Sequence, residues 1–215
     1  SLNPRDHAVI SQLATINLGK GNTAEALKFF NEFLALESRT DELATLANSF
    51  EKHGHLETAL KAYETLSKSG IQKYHEMGRV YMRLGNYQRA YEKFSEGAKR
   101  LPNDLASIYN AGFALKKLGN TEAALGFFAK AIELFEKRDL ASTGPALKAN
   151  YLQSMSHAYA AVGQTAKARA FLEQAISIAR TLTKTQIFSS LGYADVSPNH
   201  FIQESMHLLK QLRNH

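Results

Sequence analysis

Residues 74–134 read YHEMGRVYMRLGNYQRAYEKFSEGAKRLPND and then LASIYNAGFALKKLGNTEAALGFFAKAIEL, and the second half restates the first. Gly85 returns as Gly119, 34 residues on, inside the same frame. Gly78 and Gly112 stand seven positions before these glycines, Ala90 and Ala124 five after, and Phe94 and Phe128 nine after. A period near 34 with helical internal spacing is the signature of stacked helical hairpins, in which no unit buries its apolar face alone. The predicted fold is therefore all-α.

Working outward, Gly21, Gly54 and Gly163 continue the series, and each turn glycine is followed by Asn, His or Gln. Those residues suit the left-handed or capping geometry that ends one helix and starts the next. Five hairpins are expected, at about 7–38, 40–69, 71–102, 105–138 and 146–182. Ala168 takes the place of Ala90 and Ala124 in the fifth, where Ser156 replaces the small glycine at the helix crossing. Between Gly54 and Gly85 the spacing shrinks to 31, so local irregularity is expected there. Between Gly119 and Gly163 it stretches to 44. Because Leu134, Phe135 and Leu140 extend the apolar pattern, the expectation is longer helices around a short break at Gly144-Pro145, without a domain boundary. After Arg180 the frame decays, and 183–215 reads as a degenerate end unit in which Phe188 to Gly192 faintly echoes a first helix. From Pro198 on, Phe201, Ile202, Ser205, Leu208, Leu209 and Leu212 form one stripe at helical period, the mark of a helix covering the last hairpin.

The frame resembles the tetratricopeptide repeat family. Its pattern is met by Tyr74, Met77, Gly78, Tyr81, Gly85, Ala90, Phe94 and Pro102, and again by Ile108, Ala111, Gly112, Leu115, Gly119, Ala124, Phe128 and Ala131. Departures are Gly97, where the family has alanine, and Glu136, where it closes with proline. Pro4 stands 17 residues before Gly21, as Pro102 does before Gly119, so the array is expected to begin upstream. The resemblance implies a right-handed superhelix whose first helices line a concave groove holding a peptide or helix of a partner protein. In bacteria, such arrays serve secretion, envelope and assembly systems.

Composition narrows the chemistry. At 215 residues with 44% hydrophobic and 21% charged, the chain can build a continuous core. No run nears the roughly 18 apolar residues of a membrane helix, and no signal sequence opens it. The expectation is a soluble segment, cytoplasmic or bacterial periplasmic. The absence of cysteine removes disulfides, thiol catalysis and cysteine-based zinc sites. Net charge is +6, and residues 1–69 carry 7 basic and 9 acidic side chains, 70–139 carry 12 and 8, and 140–215 carry 7 and 3. The basic surplus thus lies in the second two thirds.

Groove positions in the resemblance are those between a first helix's packing residues. They give an expected partner-binding set of His75, Arg79 and Arg83, then Tyr109, Asn110, Phe113 and Lys116, then Asn150, Gln153 and His157. Tyr109 and Phe113 share a helix face. An aromatic floor with basic walls suits a ligand bearing acidic and apolar residues. The alternative is that Tyr109 and Phe113 pack between hairpins while the basic residues form a solvated face. The frame by which one subset of the family grips C-terminal carboxylates is not matched, since Glu76 or Ser154 falls on its positions.

No phosphate loop, nucleophile elbow or other catalytic constellation is present, so neither an enzyme nor a cofactor is expected. His200, Glu204 and His207 share a helix flank at metal-compatible spacing, yet any solvated flank looks the same. RNA binding is a second reading, from the basic half and the groove aromatics. Twenty acidic residues interspersed with the basic ones speak against it. Self-association is a third reading.

Overall fold

The computed structural model describes residues 7–36, 40–182, 188–190 and 194–212. Pro4 and the first residues of the degenerate segment, 183–187, lie outside them. The chain divides into two compact units, Ser1–Leu84 and Gly85–His215. The boundary falls inside the expected hairpin of 71–102, so each unit is described by itself.

The first unit holds α1 (His7–Gly19), α2 (Thr23–Ala35), α3 (Thr40–Lys52), α4 (Leu56–Lys68) and α5 (Tyr74–Arg83). Hairpins α1/α2 and α3/α4 pack through their first helices, and α5 lies against α4. Ile10, Phe30, Phe33, Leu46, Phe50 and Tyr63 are fully buried in one core. Phe30 meets Phe50 edge to face across the hairpins at 5.0 Å.

The second unit holds α6 (Tyr87–Arg100), α7 (Leu105–Lys117), α8 (Thr121–Glu136), α9 (Pro145–Ala161), α10 (Thr165–Arg180), β1 (Phe188–Ser190), β2 (Ala194–Val196) and α11 (Pro198–Gln211). Helix α7 packs on α6 and α8, α9 on α8 and α10, and α11 on α10. Strands β1 and β2 pair antiparallel, with Phe188 opposite Val196. Over Phe188–Ser190 this corrects the expected echo of a first helix, the rest of which, Leu191 and Gly192, lies outside the described residues. Pro198 starts α11 at its first turn, where its missing N–H costs nothing, and Ser197 caps it by accepting from His200 N.

The hairpin turns follow from two adjacent residues. At the end of α7, Gly119 N–H donates to Lys116 O and Asn120 N–H donates to Leu115 O, while Gly119 holds φ +80°. That pairing closes a helix only if one residue is left-handed, which glycine adopts without a Cβ penalty. Asn120 then caps α8 by accepting from Ala123 N. Gly21, Gly54 and Gly163 are also left-handed, as is Gly85. Gly70 ends α4 the same way, a turn that lies outside the repeat frame.

Small residues set the helix crossings. A Cβ on Gly112 would sit 2.9 Å from the Cβ of Phe127 and 3.1 Å from the Phe128 ring, so α7 and α8 approach as closely as a missing side chain permits. Ala90, Ala124 and Ala168 are fully buried, and Gly78 is buried on α5.

The long gap before Gly163 holds the expected longer helices, 16 residues in α8 and 17 in α9, but the break between them is longer than Gly144-Pro145. Helix α8 stops at Glu136, so Leu140 is not helical; the link runs over 137–144, and Pro145 opens a 17-residue α9. Glu136, standing in place of a closing proline, accepts from Tyr159 Oη at 2.8 Å and Lys167 Nζ at 3.3 Å. Those bonds hold its carboxyl below the usual range and tie the end of α8 to α9 and α10.

Candidate functional site

Expected partner-binding residues separate into three groups. The first group is taken up by an internal charge network in the first unit. Glu51, on the last turn of α3, has a side chain only 5% exposed. Arg79 grips it two-handed, Nε to Oε1 and Nη2 to Oε2, both at 2.7 Å. Arg83 donates to the Glu51 backbone carbonyl at 2.8 Å, placing a cation at the carbonyl end of α3. Tyr63 Oη lies 2.9 Å from Glu51 Oε2 and 2.7 Å from Asn48 Oδ1. A phenol has one proton to give, so donation to the carboxylate, with the Asn48 amide nitrogen turned to the phenol, satisfies all three groups. Burial and the Glu51 carboxylate push the Tyr63 phenol far above its usual value, and Glu51 raises Arg79 against its burial. Arg79 and Arg83 are therefore not free cationic walls, because their charge is spent within the fold. The partner that neutralises them, Glu51, lies 28 residues before Arg79, a distance at which helix periodicity carries no signal.

The second group is buried. Tyr109 is 3% exposed, and Asn110, Phe113 and Gln153 are also interior, which corrects their expected exposure. Tyr109 stacks against Phe113 at 6.2 Å and meets Phe128 at a tilt at 5.8 Å, and Phe113 meets His157 edge to face at 6.4 Å. An aromatic row thus runs from α8 through α7 to α9. Burial pushes the Tyr109 phenol well above its normal value, against a smaller opposing effect of Ser154. Ser154 is within reach, yet no hydrogen bond of good geometry satisfies the buried Tyr109 Oη among the described residues. Gln153 Nε2 donates to Ser205 Oγ at 2.9 Å, so this position seats α11.

The third group remains accessible. His75 and Asn150 are half-buried, Lys116 is exposed, and His157 is half-buried. Lys116 and His157 come together in a cleft of about 450 Å3 in the second unit, with Ala160, Ala161, Thr165, Leu208, Gln211 and Leu212. Helix α7 ends there, α9 and the start of α10 form the floor, and α11 forms the far wall. Lys116 has no ion-pair partner among the described residues, while the neighbouring Lys117 lies over the Phe113 ring at 5.5 Å. The contribution of α11 was missed in the sequence because its stripe was assigned wholly to capping. Leu208 and Leu212 remain half-buried after the helix has docked.

Burial, with Lys116 and Lys117 nearby, lowers the His157 imidazole to about 4. The folded state holds it neutral, whereas the unfolded chain titrates near 6.5. Between those values the unfolded state binds more protons, so stability rises with pH across the window and is lost as pH falls towards 4. From about pH 7 to about pH 5, His157 is expected to remove on the order of 1–2 kcal/mol. Urea titrations at both values check this: the loss in the native chain should exceed that in His157→Gln by this amount.

Neither His200 nor His207 lines the cleft, although His207 pairs with Gln211, which does. His200 faces Glu204 at 3.4 Å and His207 pairs with Gln211 at 3.1 Å. No cluster able to hold a metal occurs among the described residues. No described helix is long and apolar enough to cross a membrane.

Family models for the tetratricopeptide repeat match residues 104–181 and 74–106. A TPR repeat-containing protein of Methanocaldococcus jannaschii is 25% identical over 146 residues, covering 62% of this chain. The chain spans about a quarter of that relative, 26%. Among solved structures, MamA 41-end from Desulfovibrio magneticus RS-1 superposes with a TM-score of 0.56 at 15% identity, covering 84% of this chain and 98% of its own. YrrB, described as a TPR protein with an unusual peptide-binding site, gives 0.51 at 20% identity, with 82% and 88% covered. A tetratricopeptide repeat protein from Parabacteroides merdae gives 0.57 at 19%, with 95% and 86% covered.

Proposed function

Since this chain belongs to the tetratricopeptide repeat family, we propose that it is a non-catalytic docking module that takes an acidic, apolar segment of a partner protein in the cleft between α7, α9, α10 and α11. The observation carrying this reading is the composition of the cleft. Its cation, Lys116, is unpaired among the described residues and shares the cleft with an apolar floor of Ala160 and Ala161 and an apolar far wall of Leu208 and Leu212. A carboxylate of the ligand would meet Lys116, and an apolar side chain would complete the burial of the two leucines that α11 leaves half-exposed. Gln211 and Thr165 supply polar groups for a backbone. Neutral His157 adds a surface that does not repel apolar atoms. Of the ten positions expected to touch a partner, Lys116 and His157 are the two assigned to it here.

The test places a photocrosslinking residue at Thr165 of the full chain and compares the native protein with Lys116→Glu, an exposed charge reversal. A captured partner segment rich in Asp or Glu and apolar residues, with crosslinking reduced roughly tenfold by the reversal, is the expected result. Equal capture by both chains would overturn the assignment of the cleft. Capture of RNA in place of protein would overturn the partner class.

A further inference from the structure

A different surface of the second unit, sharing no residue with the α7–α11 cleft, combines aromatic and cationic groups. A cleft of about 500 Å3 opens between α6 and α8 over Tyr91, Ser95, Lys99, Pro102, Phe127 and Lys130. A second cleft of about 500 Å3 shares Lys130 and reaches Lys137 and Arg138 at the end of α8. Tyr91 and Phe127 meet edge to face at 6.0 Å, and both stay partly exposed. Ser95 Oγ is buried at the cleft without a hydrogen-bond partner among the described residues. It does not use the carbonyl four residues back, the usual partner of a mid-helix serine.

The charges of this surface do not cancel. Its carboxylates are engaged: Glu92 with Arg89 at 3.1 Å, Glu96 with Lys93 at 2.9 Å and Glu133 with Lys137 at 2.6 Å. Among the described residues Lys99 and Lys130 close no ion pair, Lys130 being drawn to Glu133 only at longer range, and Arg138 lies over the Tyr151 ring at 4.9 Å. The whole basic surplus belongs to this unit. Residues 85–215 hold 16 basic and 10 acidic side chains, against 10 and 10 in residues 1–84.

We propose that this surface is a second docking site, for an acidic segment of a partner protein carrying one aromatic or aliphatic side chain. The apolar group fits against Tyr91 and Phe127, carboxylates meet Lys99 and Lys130, and Ser95 offers its unused hydroxyl to the backbone of the segment. A nucleic-acid backbone fits less well, because Lys99 and Lys130 are isolated cations among carboxylates and form no continuous track for successive phosphates, whereas a peptide needs its charges only opposite those two points.

The probe is a synthetic fluorescein-labelled peptide of glutamates around a single phenylalanine. It is titrated by anisotropy into the full chain carrying Lys116→Glu, which removes the cation of the other cleft. Binding should persist there, weaken with added salt, shift the Tyr91 and Phe127 ring resonances, and fall roughly tenfold or more when Lys99→Glu and Lys130→Glu are added. Both lysines are exposed, so circular dichroism should show an unchanged fold. Unchanged affinity in that variant, no binding at all, or ring shifts confined to other residues would overturn the proposal. So would tighter binding of a single-stranded oligonucleotide to the same lysines, or concentration-dependent self-association that the same reversals abolish. Because Lys116 is already reversed, failure here leaves the α7–α11 cleft untouched, and the converse holds too.

Discussion

Arg79→Ala is expected to lower unfolding stability by about 3 kcal/mol or somewhat more, since removing one partner of a buried ion pair strands the other. The stranded group is Glu51, 5% exposed, which loses both of its 2.7 Å bonds to the guanidinium. Arg83, 3.8 Å away, can compensate only in part. The opposite change, Glu51→Ala, should cost less, because Arg79 and Arg83 stay 26% and 23% exposed and can reach water. The double variant Glu51→Ala with Arg79→Ala should then be more stable than the two single losses added together. Urea unfolding followed by far-ultraviolet circular dichroism provides the cycle. Hydrogen exchange should place the loosening in α3 to α5. An Arg79→Ala chain as stable as the native one would mean that the arginine serves a ligand and not the fold.

Tyr109→Ala should cost about 3–5 kcal/mol, the range for emptying a large buried aromatic site. The ring lies against both Phe113 and Phe128, and its loss would leave each without that aromatic contact. Tyr109→Phe separates ring from hydroxyl. Because the buried Oη is unsatisfied among the described residues, removing it should leave stability unchanged or raise it by up to about 1 kcal/mol. Thermal unfolding of the three chains decides between these. A large loss in Tyr109→Phe would mean that the hydroxyl has a partner that matters. Partner capture by Tyr109→Phe should be intact, since the ring lines no part of the α7–α11 cleft.

These two residues show where reading along the chain succeeds and where it stops. The spacing of Gly85 and Gly119, with Ala and Phe at fixed offsets, made the helical hairpins legible because turns and crossings depend on local requirements. A left-handed residue closes one helix, a capping side chain opens the next, and a missing Cβ allows close approach. The same spacing placed Tyr109 and Phe113 on one face of α7, yet could not say whether that face met solvent. The answer lay in Phe128 and His157, brought from α8 and α9.

The charge of Arg79 was equally visible, but Glu51, 28 positions earlier, was the group that neutralised it. Lys116 and His157 were singled out in the sequence, whereas Leu208, Gln211 and Leu212 joined them only because α11 packs back on α10. The strands at Phe188 and Ala194 were unreadable, their segment keeping too little of the repeat frame to decide between helix and hairpin.

By itself, then, the sequence determined the all-helical repeat and its turns, since those rest on contacts within about one helix pair and recur with the period. Tertiary structure alone decided which exposed-looking residues are core, which cations are already neutralised and which helix walls the cleft. Burial and ion pairing are properties of neighbours in space, and the neighbours that settled them stand tens of residues apart along the chain.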